Sequence, residues 1–160
     1  MRGPRDRLTG RHGYSLIELL VVMLVIGIVA SIALPNLVHA RQRAKAAAIV
    51  ADFTVVRTTA IEYYTKHSEW PPDTGPGQAP AALAPLLEER VFWSQGLVDY
   101  EWENWAAPDG RPTHPGTGVL IGFSVRSTDI RLLEAVEQAW GQALARRGDG
   151  VTFAIVPISR

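Results

Sequence analysis

The sequence contains no cysteine. That excludes a disulfide staple and any thiolate metal site, and leaves the redox compartment open. It also lacks an excess of either charge: 16 Lys and Arg stand against 16 Asp and Glu. A chain so balanced has no general electrostatic attraction for nucleic acid. Histidine is scarce, at four residues (His12, His39, His67 and His114), and none sits in a His-Glu-x-x-His pair. Ser124 has Gly122 before it but Arg126 where a nucleophile elbow needs its second glycine. No glycine loop placed to cradle phosphate opens a helix. These gaps remove the commonest enzyme signatures, and no metal or cofactor is expected.

One long apolar run is present. Tyr14 to Leu34 carries a single formal charge, Glu18. As a helix the run would rise roughly 32 Å, about the hydrocarbon thickness of a bilayer. Arg2, Arg5, Arg7 and Arg11 precede it against Asp6 alone, as the positive-inside rule expects of a cytoplasmic N-terminus. Without the first thirteen residues the remainder holds 12 basic and 15 acidic residues, a formal balance of −3. Arg41, Arg43 and Lys45 follow the run and argue the other way.

A secretory signal peptide cut near Ser31-Ile32-Ala33 is one account of this pattern, and a plain single-span anchor is another. Both leave Glu18 unexplained. A carboxylate at the centre of a span costs about 2.5–3.5 kcal/mol, less near its end, and usually has a functional reason. If the chain were cut between Gly13 and Tyr14, a new α-amine would begin the helix. Glu18 lies four residues along, on the same face. It can pair with its own amine or, in a staggered array, with a neighbour's. The second pairing would set axial register, which is the better-attested use of a buried ion pair.

Gly13-Tyr14-Ser15-Leu16-Ile17-Glu18 resembles the processing signal of type IV pilins and type II secretion pseudopilins: a basic leader, Gly before the cut, an aromatic after it, and Glu as fifth mature residue. Tyr14 stands where Phe is commoner, and Ser15 where Thr is commoner. The resemblance extends through Pro35-Asn36-Leu37 to about Tyr64, a third of the chain. It implies cleavage after Gly13 by a membrane prepilin peptidase and N-methylation of Tyr14. It further implies a non-enzymatic subunit, held in the bacterial inner membrane by a single pass with its outer domain in the periplasm or outside. Its partners would be the lipid bilayer, then other pilin-like subunits in a homo- or hetero-polymer, and an inner-membrane assembly platform. The alternative is a minor or competence-type pilin whose outer domain binds DNA or a surface; the acidic balance makes nucleic acid the weaker choice. An anchored enzyme with an unrecognised site is the third possibility.

The expected fold is α+β: a long N-terminal helix, partly transmembrane, packed against a small antiparallel sheet of about three strands with one additional helix. The segments are residues 1–13 (cleaved leader), 14–34 (membrane and assembly), 35–67 (stalk) and 68–160 (outer domain). Pro35 removes a helix hydrogen bond and clashes with the preceding turn. It marks either a kink at the membrane boundary or a weak point where the helix melts. Leu37, Ala40, Ala44, Ala47, Ala51, Val55, Ile61 and Tyr64 share one side of the stalk. Trp70-Pro71-Pro72 ends it. Pro80 to Arg90 suits a short helix presenting Leu83, Leu86 and Leu87. Alternation in 98–103 sets Val98, Tyr100 and Trp102 against Asp99, Glu101 and Glu103, read as a solvated strand face too long to wrap one ion unaided. Val119 to Val125 is a strand. Ser127 or Thr128 caps a helix reaching about Arg147 on an apolar face of Ile130, Leu133, Val136, Trp140 and Leu144. Val151 to Val156 is the last strand.

Overall fold

A computed structural model describes residues 14–87, 90–106, 119–141 and 145–157. The fold is α+β. Helix α1 runs from Leu16 to His67. Compact units divide at His39 and Ala40. In the first unit, every large apolar side chain from Leu16 to Leu34 is half exposed or more. In the second, α1 buries Ala46, Ile49, Phe53, Val56 and Ala60. Those positions recur at alternating steps of three and four, the signature of one helical stripe on a core. The helix stops at His67 because Ser68 turns into the left-handed region (φ 56°) and donates its N–H to the Tyr64 carbonyl at 2.7 Å. Pro71 and Pro72 then prevent a restart.

The sheet is antiparallel throughout, in the order β1-β2-β4-β3. Strand β1 is Val98–Asn104, β2 Val119–Ser127, β3 Ala145–Arg147 and β4 Gly150–Pro157. Tyr100 faces Val125, Trp102 faces Phe123, and Phe123 faces Phe153. Phe53 of α1 sits over this row, with ring centroids 5.7 Å from Phe123 and 5.3 Å from Phe153. Trp140 closes on it edge-on at 4.7 Å. Trp140 ends helix α3 (Ile130–Trp140), which buries Leu132, Leu133 and Val136. The outer edge of β1 is covered. Thr74 and Gly77 donate backbone N–H groups to the Trp102 and Tyr100 carbonyls, and Tyr100 donates to Trp93. Covering the edge removes a template for unwanted strand pairing. Gly77 needs its freedom there: its φ is 75°, and a Cβ would lie 3.4 Å from Asp99 Oδ1.

Four expectations change. First, the buried stalk face is the Ile49–Phe53–Val56 stripe. Leu37, Ile61 and Tyr64 are 41–50% exposed, and Ala44, Ala47 and Ala51 are exposed too. Alanine satisfies helical spacing on any side, whereas the larger side chains gain more from burial and decide which side packs. Second, α3 ends at Trp140, because Gly141 adopts a left-handed cap (φ 73°) and its N–H closes on Glu137. The cap at its start is Asp129, which accepts from the Arg131 and Leu132 N–H groups; Ser127 Oγ in turn accepts from Asp129 N–H. Leu144 lies outside the described residues. Third, Ala145–Arg147, expected at the end of that helix, forms β3, a short strand added to the three or so expected. Fourth, among the described residues the short helix is Ala84–Leu87 (α2); Leu83 and Leu87 are buried, while Leu86 is 54% exposed.

Phe53→Ala should lower the unfolding free energy of the outer unit by about 3–5 kcal/mol. Ile61→Ala should change it by less than about 0.5 kcal/mol. Urea titration of the detergent-solubilised chain, followed by tryptophan fluorescence, distinguishes the two; similar losses would refute the assigned face.

Candidate functional site

The first turn of α1 holds the residues that the sequence marked. Gly13 lies outside the described residues. Tyr14 is 84% exposed. Ser15 donates its backbone N–H to Glu18 Oε2 at 2.9 Å, and its Oγ accepts from Ile17 N–H at 3.4 Å. A carboxylate three residues into a helix that reaches back to the capping serine forms half of a capping box, and its charge also suits the positive end of the helix dipole. Glu18 thus has a local partner in the uncut chain. Ser15-x-x-Glu18 is the spacing that announces this motif, and it was readable beforehand.

From that turn to Leu34 the helix is a bare apolar surface. Its most apolar window has a mean hydropathy of 2.8 with none of it buried, so α1 is long and apolar enough to cross a membrane. Helix α1 continues through Pro35 without a break. Pro35 has no N–H to offer, which leaves the Ser31 carbonyl without its usual helical partner. Nearby side chains bond to the backbone: Ser31 Oγ donates to the Ile28 carbonyl at 2.7 Å, and Asn36 Nδ2 to the Ile32 carbonyl at 3.2 Å.

In the outer unit the carboxylate strand face is mostly not solvated; only Asp99 stays partly exposed, accepting from Ser94 Oγ at 2.6 Å. Glu101 and Glu103 are only 8% and 9% exposed. Register explains this, because Glu101 pairs with Ser124, which pairs with Thr152 in the next strand. Glu101 is bound by the Arg126 guanidinium, which lies 3.5 Å from Asp149 as well. The Glu101 carboxylate beside it raises the Arg126 pKa. Glu103 Oε1 accepts from Ser124 Oγ at 2.8 Å, and Ser124 shares a further 2.7 Å hydrogen bond with Thr152. Alternation along one strand cannot reveal these partners, because they come from β2 and β4. On the core side, Tyr100 donates its hydroxyl to Asp52 Oδ2 at 2.8 Å. Burial, then the Asp52 carboxylate, pushes the Tyr100 pKa far up. The Trp93 indole N–H is buried and meets no acceptor among the described residues.

Among the described residues, no three His, Asp or Glu side chains are grouped to hold a metal ion. His67 stacks on Tyr63 at 4.4 Å. His39 is exposed, and His12 and His114 lie outside the described residues.

The family model described as the prokaryotic N-terminal methylation motif matches residues 8–34, the stretch that contains Gly13, Tyr14 and Glu18. This chain is 35% identical over 63 residues to a fimbrial protein of Neisseria meningitidis serogroup B, covering 39% of this chain and 37% of that one. It is 33% identical over 93 residues to a type IV major pilin protein, PilE1, of Neisseria gonorrhoeae, covering 56% of each. To the type II secretion system core protein G of Escherichia coli K12 it is 30% identical over 77 residues, covering 48% of this chain and 52% of the relative. The chain therefore spans between about a third and a little over half of these relatives. No solved structure matches it.

Burial raises the Glu103 pKa above its usual 4.5; Ser124 opposes that shift, while Glu101 and Asp73 add to it. The folded chain then holds the Glu103 proton more tightly than the unfolded chain. Its contribution is fully present below the ordinary carboxylate range and fades as pH rises through the raised value. Glu103→Gln keeps an acceptor for Ser124 without a charge. It should lift the thermal midpoint at neutral pH and flatten its fall above the acid range. A pH profile matching wild type would overturn this account.

Proposed function

We propose that this chain is the precursor of a pilin-like structural subunit, cut after Gly13, N-methylated at Tyr14 and polymerised through α1 into a type IV pilus or a type II secretion pseudopilus. The observation that carries the reading is one carboxylate, Glu18, at the start of an uncovered apolar helix, inside a matched methylation motif. Relatives named for both filament types support the subunit class equally.

In this reading the residues of the first turn change partners. Before the cut, the Ser15 N–H caps Glu18. After it, the new ammonium at Tyr14 stands one residue from that N–H and offers a full positive charge. The carboxylate then faces an opposite full charge, where the backbone N–H offers only a dipole. In an array, the ammonium of the next subunit competes for the same carboxylate and so sets the stagger between helices. Residues 14–34 cross the inner membrane before assembly and are buried by neighbouring subunits afterwards, with the outer unit on the exported side. Pro35 loosens the helix just beyond the span. The subunit itself catalyses nothing; a prepilin peptidase acts on it, and an assembly platform receives it.

Mass analysis of the N-terminus of membrane-extracted protein should find N-methylated Tyr14 as the first residue; a start near Leu34 would refute the proposal in favour of a signal peptide. Gly13 replaced by a bulky residue should leave full-length precursor in the membrane. Glu18→Ala should still be cut yet be lost from sheared filaments by a factor of ten or so. Filaments at wild-type yield would take the register role away from Glu18.

A further inference from the structure

Arg41, Arg43 and Lys45 begin seven residues past the end of the apolar run. All three are exposed, and none meets a carboxylate among the described residues. Cations on the exported side of a span run against the positive-inside rule, so they need a reason of their own. Their placement supplies one. At 100° per residue, Arg41 and Lys45 project from nearly the same side of the helix and Arg43 from the opposite side. They therefore girdle the helix rather than stripe it. Axially they fall within about 6 Å, which is about the depth of the headgroup layer of one leaflet. Helical side chains lean toward the helix N-terminus, here toward the apolar run, and arginine and lysine stems are long enough to extend that lean. A collar of charge in a thin slab suits a planar sheet of phosphates surrounding a rod. A duplex lying along one face would meet only part of it.

We propose that Arg41, Arg43 and Lys45 form a phospholipid-headgroup collar that binds anionic lipid of the outer leaflet and sets the depth of the unassembled subunit. This rests on the reading that Tyr14–Leu34 lies in a bilayer. The collar fixes the depth at which the subunit waits. Because each contact is a solvated ion pair, salt weakens it and no large barrier opposes extraction.

The test uses the full chain in phosphatidylcholine vesicles carrying a trace of spin-labelled lipid. The immobilised lipid fraction at the protein surface is compared for labelled phosphatidylglycerol and labelled phosphatidylcholine. Phosphatidylglycerol should be preferred. High salt should erase the preference, and the Arg41→Gln, Arg43→Gln, Lys45→Gln triple variant should reduce it by about fivefold per charge removed. The Arg41→Lys, Arg43→Lys variant should retain it. Equal association of the two lipids overturns the collar alone. So does a preference that survives the triple substitution, which then belongs to the leader arginines. Binding of duplex DNA through these residues without lipid preference overturns it in favour of nucleic acid. If no lipid of either kind is immobilised, the span is not in the bilayer and both readings fall.

Discussion

Nothing in this protein is as demanding as the apolar surface between Tyr14 and Leu34. Each large apolar side chain left in water forgoes about 1.5–3 kcal/mol of burial, and from Leu16 to Leu34 every one is at least half exposed. The described outer unit has its own core, built on Phe53, Phe123, Phe153 and Trp140. On the proposed reading, lipid would meet the requirement in a membrane and the helices of neighbouring subunits would meet it in a filament. Both are environments without water, which is why one carboxylate in that run matters so much.

On that reading Glu18 has to be satisfied in each environment. In the uncut chain the Ser15 N–H does so. The capping geometry makes the charge tolerable at the edge of a bilayer without a second protein. It also keeps the carboxylate beside the position where cleavage would create an ammonium. A helix cap and an assembly charge are thus compatible uses of one residue at successive stages of the proposed life of the subunit.

The outer unit spends its polar residues differently. Glu101, Glu103, Arg126, Ser124 and Thr152 tie three neighbouring strands together across one sheet face. Buried charges are costly to strip of water, so such a network favours a unique strand register more than raw stability. Tyr100 and Asp52 do the same on the core side, linking β1 to α1. A sheet clamped to its helix in this way can be carried on α1 as a unit.

Much of this was open to reading from the chain alone, for local reasons. The apolar run, its lone acid, the basic leader, the proline stops at Pro71 and Pro72, and strand periods in β1, β2 and β4 depend on neighbours a few residues apart, so composition and spacing determined them. Other features depended on distant partners. Which side of the stalk packs was decided by where the sheet meets Ile49, Phe53 and Val56, not by the evenly spaced alanines. The carboxylates of β1 turned inward because β2 and β4 brought Arg126, Ser124 and Thr152 to them. Gly141 ended α3 early, and the freed segment gained hydrogen bonds along β4. The sequence by itself determined that something must cover the first half of the helix. Only the tertiary structure decided which residues the second half would cover, because that choice is made by contacts between segments with no local signature.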